Sequence, residues 1–224
     1  MWQRIFLFTL FGSLFFTACN KETYAPAIDL ESNYYPLTIG AVFIYDVDST
    51  AYSNFSNTRV NYQFEIKDSI TNTFVDLAGN TNYRIERYKR TDSTSLWVIQ
   101  KVFSRNKNLR DGEEFIDNQR FIRIIFPPIA GAVWNGNSKN TLGEQDYIIN
   151  DDVASLTINN LHFDSTIVVK EIDESNLIRE DIVNATYARN VGLVQKEVSA
   201  IDKDINSGKI TNGYVYSLKI KSFK

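Results

Sequence analysis

In the stretch Arg59-Val60-Asn61-Tyr62-Gln63-Phe64-Glu65-Ile66-Lys67 every even-numbered residue is apolar and every odd-numbered one polar. Side chains of a β-strand point alternately to opposite faces, so this segment reads as a strand with one dry face and one wet face. The same period, in shorter runs, marks 42–47, 82–88, 95–103, 119–126, 147–149, 166–172, 178–183, 192–198 and 213–220 as further strands. Gly, Asn, Asp and Ser cluster between them, as in Ala78-Gly79-Asn80, Arg110-Asp111-Gly112, Asn135-Gly136-Asn137 and Asn212-Gly213. These residues accept or stabilise the backbone angles of tight turns. A hairpin turn is expected over 204–210, with Ser207-Gly208 at its tip. Short helices are expected only at 27–34 and 151–157. The predicted fold is all-β: one or two antiparallel sheets in which successive strands pair, either a half-open barrel or two similar β halves sharing a core.

The N-terminus has a different character. Arg4 is followed by an apolar run from Ile5 to Phe16, then Thr17-Ala18-Cys19. A run of twelve residues, interrupted by Thr9, Gly12 and Ser13, suits the central region of a secretory signal and falls short of the roughly 20 needed to cross a bilayer. Small residues before a cysteine resemble the lipobox of bacterial lipoproteins, although Phe16 stands where Leu, Val or Ile is usual. The resemblance implies cleavage after Ala18 and a lipid on Cys19, which is the single cysteine in the chain. Residues 1–18 are thus expected to be a signal peptide, 19–33 a lipidated tether, and 34–224 one β domain. The expected location is the outer membrane, facing the periplasm.

Charge narrows the partners. The whole chain carries 24 basic and 27 acidic residues. Residues 1–18 hold one base and no acid, so removing them leaves 23 against 27, a net charge of −4. Nucleic acid calls for a basic face, and none is indicated. The partners left open are the membrane, through the lipid, and an envelope protein, a glycan or an apolar ligand.

Two octapeptides match at an offset of 91 residues: Pro36-Leu37-Thr38-Ile39-Gly40-Ala41-Val42-Phe43 and Pro127-Pro128-Ile129-Ala130-Gly131-Ala132-Val133-Trp134. They suggest two halves, 34–125 and 126–224. Three segments, Tyr34-Tyr35-Pro36-Leu37, Trp134-Asn135-Gly136-Asn137 with Asn140, and Tyr187-Ala188-Arg189-Asn190-Val191-Gly192-Leu193-Val194, resemble the pattern of a family of Bacteroidetes-type lipoproteins. Phe43 and Asn190 depart from that pattern, which has Trp and Gly there. The resemblance implies a β fold and brings no established activity with it.

Residues able to carry chemistry are few. His162 is the only histidine, so a Ser-His-Asp site would have to use it and a zinc site would lack its usual partners. No catalytic residue, cofactor or metal is assigned. A carboxylate pair is the remaining route to catalysis, as in glycoside hydrolases. Its candidates are Glu113-Glu114 with Asp117, Asp151-Asp152, and Glu171 with Asp173-Glu174, all beside polar turn sequences where a solvated surface is expected. Trp97 and Trp134 would be the sugar platforms of such a site. Asp202-Lys203-Asp204-Ile205-Asn206 has alternating oxygen ligands but lacks the Gly and Glu that complete a calcium loop. Finally, Asp48-Ser49-Thr50, Asp68-Ser69-Ile70, Asp92-Ser93-Thr94 and Asp164-Ser165-Thr166 resemble the O-glycosylation acceptor of exported Bacteroidetes proteins, which makes Ser49, Ser69, Ser93 and Ser165 candidate sites. Asp-initiated turns are the competing explanation.

Overall fold

The structure, a computed structural model, describes residues 29–56, 58–150 and 154–224. Leader residues 1–18 and Cys19 lie outside the described residues, as do Asp151 and Asp152. Thirteen strands are present among the described residues: β1 (Val42–Ser53), β2 (Thr58–Val75), β3 (Thr81–Arg90), β4 (Val98–Lys107), β5 (Asp111–Ile116), β6 (Gln119–Ile125), β7 (Val133–Asn135), β8 (Asp146–Ile149), β9 (Ala154–Ile158), β10 (Leu161–Ser175), β11 (Arg179–Ala188), β12 (Gly192–Lys203) and β13 (Ile210–Phe223). All pair antiparallel in one sheet of order β6-β5-β4-β3-β2-β1-β13-β12-β11-β10-β8-β7, with β9 folded onto β10. The last strand thus returns to pair with the first, and the sheet curls into a nearly closed barrel with one seam, between β6 and β7.

The expected strands are present and mostly longer than the alternation indicated. Three expectations are corrected. Residues 154–158 form β9 rather than a helix, because Leu156 and Ile158 alternate against Phe163 and Leu161 of β10. Asp111-Gly112 opens β5 rather than making a turn, and Asn212-Gly213 lies inside β13, paired with Asp202 and Ile201 of β12. Of the helix expected at 27–34, the described part contains a single 3-10 turn, Ser32–Tyr34. The hairpin at 204–210 is present, closed by Gly208 N–H donating to Asp204 O (2.8 Å).

The two octapeptides make the same turn. Gly40 N–H donates to Ile70 O, Ala41 N–H to Thr38 O, and Ile70 N–H to Ala41 O (2.8, 3.1 and 3.0 Å). Ninety-one residues on, Gly131 donates to Ile149, Ala132 to Ile129, and Ile149 to Ala132 (2.8, 3.0 and 3.1 Å). Both glycines sit at positive φ, +89° and +78°, where a Cβ is strained. Each turn delivers its chain into the first strand of a meander, β1 to β6 or β7 to β13.

The three family-like segments build one end of the barrel and its seam. Tyr34 and Tyr35 are buried and plug that end. Tyr34 shares a hydrogen bond with Ser165, Tyr35 OH donates to Glu113 O (3.0 Å), and the Tyr35 ring packs on Tyr187. Asn190 N–H donates to Asn33 O (2.8 Å), tying the third segment to the first. Across the seam, Trp134 Nε1 donates to Ile122 O, Ile122 N–H to Gly136 O, and Asn140 Nδ2 to Arg120 O, each at 2.9 Å. These bonds, two from side chains and one between backbones, take over where the regular ladder stops, which satisfies edge groups that would otherwise be open to another strand.

Gly136 is held to its size by Tyr147, since a Cβ there would lie 2.5 Å from the tyrosine ring. Gly136→Ala should therefore push the ring off its packing on Trp134. The expected cost is about 1–3 kcal/mol, read as a fall of roughly 2–4 °C in Tm per kcal/mol for a domain of this size. An unchanged melting curve would show that the seam does not depend on this contact.

Candidate functional site

Inside the barrel is a cavity of about 470 Å³, within the range of small-molecule sites. Its lining is mostly charged or phenolic. Arg87 (β3), Arg105 (β4), Glu114 (β5), Arg123 (β6), Glu171 (β10) and Lys196 (β12) face it. Tyr35 and Tyr187 close one side, and Tyr214, Tyr216 and Leu218 of β13 the other. Asp117 and Tyr214, the exposed members of the lining, mark its mouth.

Three of the cations reach the cavity by strand parity. Arg87 lies two residues after the buried Ile85, Arg105 two after Phe103, and Lys196 two after Val194, so all share the inward face of their strands. Antiparallel register then sets Arg105 directly opposite Glu114.

The ion pairs form a chain across the barrel. Arg105 Nη2 and Arg123 Nη2 bind opposite oxygens of Glu114 at 2.9 and 3.0 Å. Arg123 Nη1 then reaches Glu171 Oε2 at 3.2 Å, and Lys196 Nζ the same oxygen at 2.8 Å. To one side, Arg87 grips the buried Asp68 through two bonds of 2.7 Å. Burial pushes the Glu114 carboxyl up, but Arg105, Arg123 and Arg87 outweigh it and hold the group well below the usual carboxylate range. Glu171 is likewise pushed up by burial and brought below its ordinary value by Lys196 and Arg123. Both acids are therefore ionised at neutral pH. Burial raises Tyr35 and Tyr187 and pushes Tyr216 up to about 12, so these phenols stay protonated.

Hydrogen-bonding capacity is left over. Glu171 Oε1 is buried and accepts no hydrogen bond from any described residue. An ionised oxygen in that position carries a penalty unless a donor meets it. Among the described residues, the Nη1 groups of Arg87 and Arg105 and the hydroxyls of Tyr187, Tyr214 and Tyr216 also have no hydrogen-bond partner in the protein.

The carboxylates expected on solvated turns divide. Glu113, Glu114 and Glu171 are buried, which corrects the surface reading, whereas Asp117, Asp173 and Glu174 are exposed as expected. Glu113 serves the seam, where it binds Arg120 and Lys139. The four cations of the cavity were not apparent as a site from sequence. For Arg87, Arg105 and Lys196 the signal is the parity just described, a charge in step with buried apolar residues; Arg123, between the buried Ile122 and Ile124, is out of step and gives none.

The remaining candidates are scattered. His162 is exposed on β10, with Asp164 at 3.1 Å and Thr157 Oγ1 at 3.1 Å. Among the described residues no cluster of His, Cys, Asp or Glu can hold a metal ion. Asp204 accepts from Ser207 N–H (2.9 Å) as a hairpin cap, and Asp202 faces Arg179. Trp97 is covered by Arg90 and Lys67, and Trp134 belongs to the seam, so neither lines the cavity. Ser49 and Ser69 lie within β1 and β2, and Ser165 is bonded by Tyr34. Ser93 is the one of the four on an exposed turn, shaped by Thr94 N–H donating to Asp92 (2.9 Å).

No protein-family model matches this chain, and no curated protein matches it. Solved structures similar to this chain include the following two. One is a "putative lipoprotein" from Parabacteroides distasonis, with a TM-score of 0.46 and 14% identity, covering 85% of this chain and 98% of the other. The second is a "putative exported protein with YmcC-like fold" from Bacteroides fragilis, with a TM-score of 0.45 and 9% identity, covering 84% of this chain and 97% of the other.

Proposed function

We propose that the chain is a lipid-anchored envelope protein that binds a small polar molecule inside its barrel without chemically changing it. The observation that carries this reading is Glu171 Oε1, a buried ionised acceptor with no protein donor, set beside arginine and tyrosine groups with spare donors. An arrangement built only to brace the barrel gains nothing from leaving these groups unmet, because each unmet group costs stability. The charged lining favours a polar ligand over an apolar one, and the cavity's size favours a small molecule over a glycan chain or a protein segment. Attachment through Cys19 in the outer membrane, facing the periplasm, completes the proposal and rests on the lipobox alone. O-glycosylation, where it occurs, is best accommodated at Ser93.

A carboxylate-pair hydrolase has less support. Such an enzyme needs one acid kept protonated by a raised pKa. Glu114 and Glu171 share Arg123 and are both held in the opposite direction.

The test is twofold. Native mass spectrometry of the protein extracted from its own envelope should show a retained molecule of a few hundred daltons. A thermal-shift screen of polar metabolites should find compounds that raise Tm, since a ligand at 100 times its Kd adds about 2.7 kcal/mol. An empty protein that no polar compound stabilises would overturn the proposal.

A further inference from the structure

The charges lining the cavity do not balance. Arg87, Arg105, Arg123 and Lys196 face Asp68, Glu114 and Glu171 through direct ion pairs, which leaves one positive charge unmatched. Asp117 at the mouth does not supply the missing negative charge, because Lys101 binds it from outside at 2.6 Å. An excess positive charge on the walls of a cavity draws a counter-ion into it. The unmatched acceptor at Glu171 asks for something different, a donor. An anion of one charge that also carries a neutral donor meets both requirements at once. A zwitterion such as an amino acid would supply the donor and leave the excess charge in place. A neutral polyol would do the same. A plain fatty carboxylate would neutralise the charge and leave Glu171 Oε1 unmet. The phenols of Tyr187, Tyr214 and Tyr216 can each donate or accept, which suits several hydroxyls.

Resting on the binding reading above, we infer that the cavity selects a hydroxylated monocarboxylate, a sugar acid in size and chemistry. Its carboxylate bonds the free Nη1 atoms of Arg87 and Arg105, the planar donors best matched to that group. A hydroxyl donates to Glu171 Oε1.

The experiment is isothermal titration of the detergent-extracted, full-length mature chain with matched six-carbon probes. Gluconate and glucuronate carry the charge and the hydroxyls, sorbitol only the hydroxyls, hexanoate only the charge, and glucosaminate both plus an ammonium. At least one of the first two should bind ten-fold or more tightly than the other three. Glu171→Gln, which keeps the shape but adds one net positive charge, should tighten hexanoate and, through loss of the charged acceptor, weaken the sugar acid relative to hexanoate by roughly ten-fold. Tyr187→Phe, which removes one buried hydroxyl and no charge, should weaken the sugar acid several-fold and provides a variant expected to fold normally. Equal binding of hexanoate would overturn the donor requirement. Tighter binding of sorbitol or glucosaminate would overturn the charge argument. In either case a retained molecule or another stabilising metabolite leaves the binding proposal standing. Failure of all five probes overturns the inference, and only failure of the wider screen as well overturns both.

Discussion

Arg123→Met should destabilise the barrel more than any other single change at the cavity, by about 3 kcal/mol. Arg123 is the one residue that joins Glu114 to Glu171, and therefore joins the β4-β5-β6 side of the barrel to the β10-β12 side across the interior. Removing one partner of a buried ion pair costs about 3–5 kcal/mol because a charge is left uncompensated. The lower end applies here, since Arg105 still holds Glu114 and Lys196 still holds Glu171. Chemical denaturation at neutral pH should show the loss, with Tm falling by roughly 6–12 °C. Its pH dependence gives a sharper check. Glu114 and Glu171 have folded pKa values below their ordinary ones, so their ion pairs stabilise the protein above about pH 4 and lose that effect as pH falls through the folded values. The gap between wild type and Arg123→Met should accordingly be full at pH 7 and shrink in acid. Adding Glu171→Gln to Arg123→Met should cost less than the two single changes summed, because the acid that the arginine served is gone. A gap independent of pH would mean that Arg123 acts through packing on Phe121 rather than through charge.

The barrel was legible in the sequence wherever its interior is apolar. In β2, Phe64, Ile66 and Ile70 face the core, and the alternation there is unmistakable. It fades where the interior is charged. β5 reads Asp111-Gly112-Glu113-Glu114, which has the composition of a turn, yet all four residues are buried. β4 is inverted at its start, with Val98, Ile99 and Val102 exposed and Arg105 inside. β9 was hidden by the acidic residues before it and by Asn159-Asn160, two left-handed residues that make a tight hairpin into β10. The cavity's charges are hard to read from sequence for the same physical reason. A polar cavity puts charges on the face where periodicity looks for Leu and Val, and its members come from six strands between Arg87 and Lys196. Glu114 and Glu171 were visible as carboxylates, but no spacing in the chain announces that one arginine will bind them both. The repeated octapeptides were read from sequence alone, and their identical turns support the two halves, 34–125 and 126–224, that we propose as the domain's organisation.

Cys19→Ser should move the chain from the membrane pellet to the soluble fraction almost completely. A single acyl chain holds a protein only marginally, while two or more, at about 0.8 kcal/mol per buried methylene, hold it stably, so losing them all changes partitioning by many orders of magnitude. Among the described residues no helix is long and apolar enough to cross a membrane. The outside of the sheet carries exposed ion pairs, such as Asp46 with Lys221 and Arg84 with Glu86, charges that the lipid face of a membrane barrel excludes. The variant's Tm should equal that of the wild type, because among the described residues the plug is built by Leu30, Tyr34 and Tyr35 and the cavity network by residues from Asp68 onward. Fractionation, incorporation of labelled fatty acid and a melting curve test the three statements separately. If the serine variant stays in the pellet through an alkaline carbonate wash, the segment from Ile5 to Phe16 is being retained as the anchor and the lipobox reading fails. If instead the wild type itself is soluble and its Cys19 thiol reacts freely, the leader is an ordinary signal peptide, and the cavity works in a diffusing periplasmic protein.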